Sequence, residues 1–159
     1  MYTHTHREDY VFKMYKRLGI YRAQDINEEW IAKQLRIYIK HIDRPSHFAR
    51  DGRFKAILLD SRVDRKQRRM EFMHELGHLL RSADGFNYLA PELRNYLEWD
   101  ARHFEFYAAM PYPMMRQYDL NDCDIINTLS DDFVVPHHYV EDKLTFIKQK
   151  QQQYARVTF

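Results

Sequence analysis

The stretch RRMEFMHELGHLLRS, residues 68–82, contains two histidines four residues apart, His74 and His78, with Glu75 directly after the first. Apolar residues surround this pattern at spacings that predict an α-helix. They are Met70, Phe72, Met73, Leu76, Leu79 and Leu80. A helix that is apolar on nearly every side is typical of a buried position. We therefore expect this helix to be buried.

The spacing of the two histidines predicts a metal site. Residues four apart lie on one face of a helix, so the imidazoles of His74 and His78 can bind a single Zn²⁺. Glu75 is offset by about 100° around the axis and can face a metal-bound water rather than the metal. Zinc lowers the pKa of such a water to near 7, and a carboxylate can accept its proton during attack on a carbonyl. The pattern therefore predicts peptide hydrolysis.

Two core histidines with other partners, beside a surface glutamate, are the alternative interpretation of the same stretch. Burying two imidazoles and a carboxylate is costly without partners, and this favours a metal. Gly77 costs about 1 kcal/mol relative to Ala in a helix interior. We therefore expect a neighbouring backbone to approach closely at Gly77.

A catalytic zinc needs a third protein ligand and one open position. The next predicted helix starts at Pro91, a favoured first helical position, and ends before Pro111. Glu98 and Glu105 share one face of that helix, and their spacing does not choose between them. Either carboxylate would complete a site of two histidines and one glutamate.

Three further residues are weaker candidates. Asp100 can accept a hydrogen bond from the outer nitrogen of a ligand histidine, but a surface position or a salt bridge to Arg102 or Arg69 is the preferred interpretation. His137 or His138 can stabilise the oxyanion of the transition state. A loop position explains these two histidines equally well.

Composition limits the class of protein. The 159 residues are enough for one domain, and the 25 basic and 23 acidic residues nearly cancel, so we expect no direct binding of nucleic acid. The single cysteine, Cys123, excludes an intramolecular disulfide. No run of about 18 apolar residues predicts a membrane span, and residues 1–10 do not resemble a signal peptide. We expect a cytoplasmic protein with no membrane partner.

The remaining pattern predicts an α+β fold. Residues 8–18 and those after Asp25 have helical spacing, residues 35–42 alternate as a strand does, and residues 46–60 predict a hairpin that turns at Asp51-Gly52. We expect a small, mainly antiparallel sheet packed on the histidine-bearing helix, with helices around it. Residues 1–159 then form a single domain. Its parts are an N-terminal helical and strand part (1–45), a catalytic core (46–111) and a C-terminal helical element (112–159).

A basic connector, residues 62–69, precedes the buried helix. A solvated link is its preferred interpretation, and a docking surface for an acidic partner is the alternative. We expect the helix to begin near Arg69 and to stop near Asp84-Gly85, where glycine suits a helix end.

Apolar residues between Ile125 and Leu144 resemble the core of a small helix-turn-helix. Packing against the catalytic core is the preferred interpretation, because reading DNA needs a cluster of Arg or Lys on the second helix. Residues 131–142 instead contain four acids: Asp131, Asp132, Glu141 and Asp142.

Three stretches resemble the ImmA/IrrE-type metallopeptidases: HELGHLL (74–80), EWDARHFEFYAAMP (98–111) and LSDDFVVPHHYVEDKL (129–144). The resemblance covers roughly residues 25–147 and implies a zincin-like fold with Glu98 at the third-ligand position. Family members usually carry Ala where Glu105 stands, and Phe106-Tyr107 is bulkier than the family pattern. Glu105 therefore remains a rival ligand.

The resemblance implies a zinc metalloendopeptidase that cleaves a helix-turn-helix repressor of a phage or mobile element and so relieves repression. Its implied ligands are His74, His78 and Glu98, its general base is Glu75, and its partner is a repressor-like transcription regulator. The main alternative is a metal-binding regulator that inactivates a repressor without cutting it. The intact Glu75 favours the enzyme.

Overall fold

The computed structural model describes residues 5–82 and 88–157. Two helices and a 3₁₀ turn precede the sheet in the described residues: α1 (His6–Arg17), the 3₁₀ turn (Ala23–Asp25) and α2 (Glu28–Gln34). The strands are β1 (Tyr38–Ile42), β2 (His47–Asp51) and β3 (Phe54–Asp60). The later helices are α3 (Arg65–Arg81), α4 (Pro91–Ala109), α5 (Tyr112–Met115), α6 (Ile125–Asp132) and α7 (His137–Val157). The predicted α+β class is confirmed.

The sheet has the strand order β1-β3-β2 and is mixed rather than mainly antiparallel. The hairpin prediction is correct, because β2 runs antiparallel to β3 and Asp51 pairs with Phe54 around Gly52, whose φ is +54°. β1 runs parallel to β3, with Ile39 opposite Ile57. Alternation along one strand does not reveal the direction of its neighbour, so the sequence could not predict this pairing.

The first strand begins later than its alternating pattern suggests. Residues 35–37 close α2 instead, because Leu35 caps the helix and Arg36 adopts a left-handed φ of 56°. The strand proper starts at Tyr38.

α3 begins before the predicted Arg69, because Asp64 caps it by accepting a hydrogen bond from the backbone N–H of Gln67. At the other end, the Arg50 guanidinium donates to the carbonyls of Leu79 and Ser82 and so satisfies acceptors that a helix end leaves open. The helix ends at Arg81. The predicted stop at Asp84-Gly85 lies outside the described residues.

Gly77 lies where α3 packs on α4, and the expected close approach of a backbone is confirmed. A Cβ atom on Gly77 would lie 3.3 Å from both the Cα and the carbonyl oxygen of Ala101, and 3.0 Å from Cδ1 of Phe104. The buried face around it includes Phe72, Met73 and Leu76, each fully inaccessible to solvent. The glycine therefore permits the short distance between the two helices.

The basic connector is exposed over much of its length, as expected of a solvated link, and its charged side chains also pair within the protein. A docking role for an acidic partner stays a prediction. Arg62 pairs with Asp60, Arg65 with Glu28, and Lys66 with Asp131, while Arg68 donates to backbone carbonyls of residues 60, 61 and 63. The first turn of α3 is thus attached to α2, to α6 and to the segment that follows β3.

Arg69 is the buried member of this network, with 3% of its surface exposed. Its Nε donates to Glu28 Oε1 at 3.0 Å, and its two Nη atoms donate to the carbonyls of Phe133 and Ile26 at 2.9 Å each. Burial alone would raise the pKa of Glu28, but the hydrogen bonds from Arg65 and Arg69 outweigh it and lower that pKa to about 2. The charged form of Glu28 is therefore strongly favoured by the fold.

The C-terminal helices pack on the rest of the hydrophobic core, as their apolar pattern predicts. Leu129, Phe133, Val135 and Val140 are fully buried and belong to the same cluster as the apolar face of α3. Among the described residues, no helix is long and apolar enough to cross a membrane.

Gly77→Ala should destabilise the protein even though Ala is the better helix former by about 1 kcal/mol. The new methyl group would meet the Ala101 backbone, and overpacking of a core costs about 1–3 kcal/mol. We expect a net loss of about 1 kcal/mol in the free energy of unfolding in urea. A variant as stable as the wild type would contradict the packing argument.

Glu28→Gln should lower stability in a pH-dependent way. Because the pKa of Glu28 is about 2 in the folded protein against an ordinary 4.5, its charged form stabilises the fold fully above about pH 5. This contribution, on the order of 3 kcal/mol, is lost as the pH falls towards 2. Urea unfolding of both proteins between pH 7 and pH 3 should show their difference shrinking. A constant difference would contradict the assignment, and Glu29→Gln, at an exposed neighbour, is the control.

Candidate metal centre and adjoining cleft

Three side chains from α3 and α4 bring donor atoms to one point. The Nε2 atoms of His74 and His78 lie 3.2 Å apart. Glu98 reaches both, with Oε2 3.2 Å from His74 Nε2 and Oε1 3.2 Å from His78 Nε2. Within the part of the chain that the structure describes, these three residues have the donor types and the spacing of a metal site.

The donor set fits a zinc ion. Ligands at about 2.0–2.1 Å in a tetrahedron are separated by roughly 3.3 Å, close to the 3.2 Å between these donors. Two neutral imidazoles also cannot bring acceptor lone pairs this close without a proton or a cation between them. Two nitrogens and one carboxylate, with a fourth position open, are the ligands of a catalytic rather than a structural zinc.

Glu75 is next to this point and is 8% exposed. Burial is the largest influence and raises its pKa to about 7; the charge of Glu98 acts in the same direction, while His74 and a hydrogen bond from the Phe48 backbone oppose it. The Phe48 ring also stacks on His78, with centroids 5.0 Å apart. The edge strand β2 therefore supports both the glutamate and one histidine.

A cleft of about 580 Å³ opens beside His74 and Glu75. Its apolar wall comes from three helices and consists of Met70, Phe106 and Tyr139. Its polar side includes Glu71, whose carboxylate accepts a 2.5 Å hydrogen bond from the Ser46 hydroxyl. The cleft has room for part of an extended peptide next to the candidate metal ligands.

Glu105 contacts the other nitrogen of His74, with Oε2 3.2 Å from Nδ1. It therefore lies on the opposite side of the imidazole from Glu98. Spacing left both glutamates open as ligands, and the geometry groups only Glu98 with the facing Nε2 atoms.

Asp100 forms a salt bridge, as expected, but with different partners from the two that were predicted. It binds Arg81 at the end of α3 and Arg7 of α1, and it is 4% exposed. Burial alone would raise its pKa, yet the two guanidinium groups lower it. Asp100 thus joins α4 to the end of the histidine-bearing helix.

Neither His137 nor His138 is among the residues that line the cleft; both are exposed in the first turn of α7. The next residue, Tyr139, lines the cleft together with Glu105 and His74. The predicted oxyanion-stabilising role therefore has no support at the two histidines. The sequence placed this helix near the site, but it did not show which of its faces turns inward.

Comparison with known proteins identifies the family of the chain. The family model Peptidase_M78, IrrE N-terminal-like domain, matches residues 33–145. The chain belongs to this family, and the ImmA/IrrE resemblance seen in the sequence is confirmed. These are metallopeptidase-like proteins, and the candidate metal centre lies within the matched region.

Two relatives come from Bacillus subtilis strain 168. The chain is 29% identical to the uncharacterized protein YqaB over 119 residues, covering 75% of this chain and 69% of that protein. It is 26% identical to the phage-like element PBSX protein XkdA over 149 residues, covering 92% of this chain and 75% of that protein.

A solved structure, a Mycobacterium tuberculosis transcriptional regulator, is similar with a TM-score of 0.58 and 17% identity. The match covers 84% of this chain and 44% of the regulator, so the chain spans less than half of that protein. At this identity the likeness shows the shared fold.

Proposed function

We propose that this protein is a zinc-dependent endopeptidase whose metal ligands are His74, His78 and Glu98 and whose general base is Glu75. The observation that carries the proposal is the meeting of three donor side chains, with contacts of 3.2 Å between them, beside a buried glutamate that lines a cleft. Membership of a metallopeptidase-like family supports it.

Zinc bound at these residues supplies a Lewis acid that polarises a carbonyl group and makes a water molecule more acidic. The Glu75 carboxylate takes a proton from the attacking water and delivers it to the leaving amine nitrogen, so that the carboxylate is restored when the peptide bond has broken. Its buried position keeps bulk water from competing for that proton. The cleft wall of Met70, Phe106 and Tyr139 holds the substrate chain beside these groups.

The substrate in this proposal is a helix-turn-helix repressor of a phage or mobile element, cleaved in the cytoplasm to relieve repression. The relative XkdA belongs to a phage-like element, which supports such a setting. Direct contact with DNA is not part of the proposal, since acidic side chains including Asp131, Glu141 and Asp142 are exposed on α6 and α7.

The test is co-expression of the chain with the repressor-like protein of its own genetic neighbourhood. The wild type should produce a cut fragment, and Glu75→Gln should lower the rate by roughly 10²–10⁴-fold, because the amide cannot accept the proton. The metal content of both purified proteins is measured in parallel. Glu141→Gln, the same change at an exposed position on α7, is the matched control and should cut normally.

Two outcomes would contradict the proposal. If wild type and Glu75→Gln both load zinc and relieve repression without a fragment, the protein is a binding regulator rather than a peptidase. If the purified wild type binds no zinc, the ligand assignment fails.

A further inference from the structure

Two glutamates on α4 lie on either side of one histidine. Glu98 and Glu105 are seven residues apart, which is nearly two full helical turns, so they share a face. Glu98 Oε2 lies 3.2 Å from His74 Nε2, and Glu105 Oε2 lies 3.2 Å from His74 Nδ1. His74 is thus contacted through both of its ring nitrogens.

We propose that Glu105 is a positioning residue that fixes the tautomer and orientation of His74 and thereby tightens metal binding. This inference rests on the proposed metal site but assigns Glu105 a role outside the ligand set. The sequence had left Glu105 as a rival ligand.

The argument follows from which atoms can donate. A neutral imidazole carries one N–H and one lone pair, and an ionised carboxylate accepts hydrogen bonds but cannot donate them. A hydrogen bond to Glu105 therefore places the proton on Nδ1, and the lone pair on Nε2, the atom that faces His78 and Glu98. Carboxylates in this outer position also make the histidine a better donor to the metal.

Burial distinguishes the two glutamates further. The Glu105 side chain is 18% exposed and that of Glu98 is 40% exposed. A hydrogen bond shielded from water is held more firmly than an exposed one. Because the two ring nitrogens point in different directions, an oxygen bonded to Nδ1 lies across the ring from a metal bound to Nε2, so Glu105 acts on the metal only through His74.

The experiment measures the zinc dissociation constant of purified protein by competition with a chelator. Glu105→Ala removes the acceptor and should weaken zinc binding by roughly 10–100-fold. Glu105→Gln keeps a neutral acceptor oxygen and should show a smaller loss. Glu98→Ala removes a ligand and should lose more than either, while Glu141→Gln should match the wild type.

Visible spectra of the cobalt-substituted proteins separate positioning from ligation. At saturating Co²⁺, both Glu105 variants should keep the wild-type spectrum, because the atoms bound to the metal do not change, whereas Glu98→Ala should alter it. Thermal unfolding of the metal-free proteins checks that each variant folds, and the Gln variant keeps the test valid if Ala does not.

Either of two results would overturn the inference. Wild-type zinc affinity in Glu105→Ala would show that the contact does not matter to the metal, and an altered cobalt spectrum would make Glu105 a ligand. Failure of the wild type itself to bind zinc would instead remove the proposed function, so the two failures are distinguishable.

Discussion

The close contact between α3 and α4 at Gly77 is the constraint on which the candidate metal centre depends. α3 carries both histidines and α4 carries Glu98, so their donor atoms meet only if the two helices approach closely. The Ala101 backbone, 3.3 Å from the position of a Cβ on Gly77, occupies the space that any larger residue would need. Packing in the core and the geometry of the site are therefore set by one contact.

Buried ion pairs hold both ends of α3 in this position. At its start, Arg69 binds Glu28 and two backbone carbonyls from other segments. At its end, Arg81 binds Asp100, two residues after Glu98 on α4. Because charged groups buried in this way are costly unless they are paired, their pairing fixes how α3 lies against its neighbours. Because His74 and His78 are part of α3, these ion pairs also fix the position of the two histidines.

The C-terminal helix α7 packs against α4 and contributes a residue to the cleft. Lys143 of α7 is fully buried and donates from Nζ to the Phe106 carbonyl at 2.8 Å, and burial lowers its pKa to about 7. It thereby holds the part of α4 that also bears Glu105. Tyr139, one turn earlier on α7, lines the cleft.

Local patterns in the sequence predicted those features that depend on one helix or one hairpin. The spacing of His74 and His78, the close approach at Gly77 and the turn at Asp51-Gly52 are of this kind. The parallel pairing of β1 with β3 and the pairing of Arg7 with Asp100, 93 residues apart, join segments that no local pattern connects. Spacing also could not tell Glu98 from Glu105, because residues seven apart share one face of a helix. Which of the two meets the Nε2 atoms depends on how α3 packs against α4, and no local pattern predicts that packing. The division of the chain into three parts stays a prediction.

The most direct measurement is a crystal structure of the zinc-loaded protein with an anomalous difference map recorded at the zinc absorption edge. A single peak bonded to Nε2 of His74, Nε2 of His78 and the carboxylate of Glu98, with Glu105 still on Nδ1 of His74, is the predicted result. A peak bonded to Glu105 in place of Glu98, or no peak between the two histidines, would contradict the account.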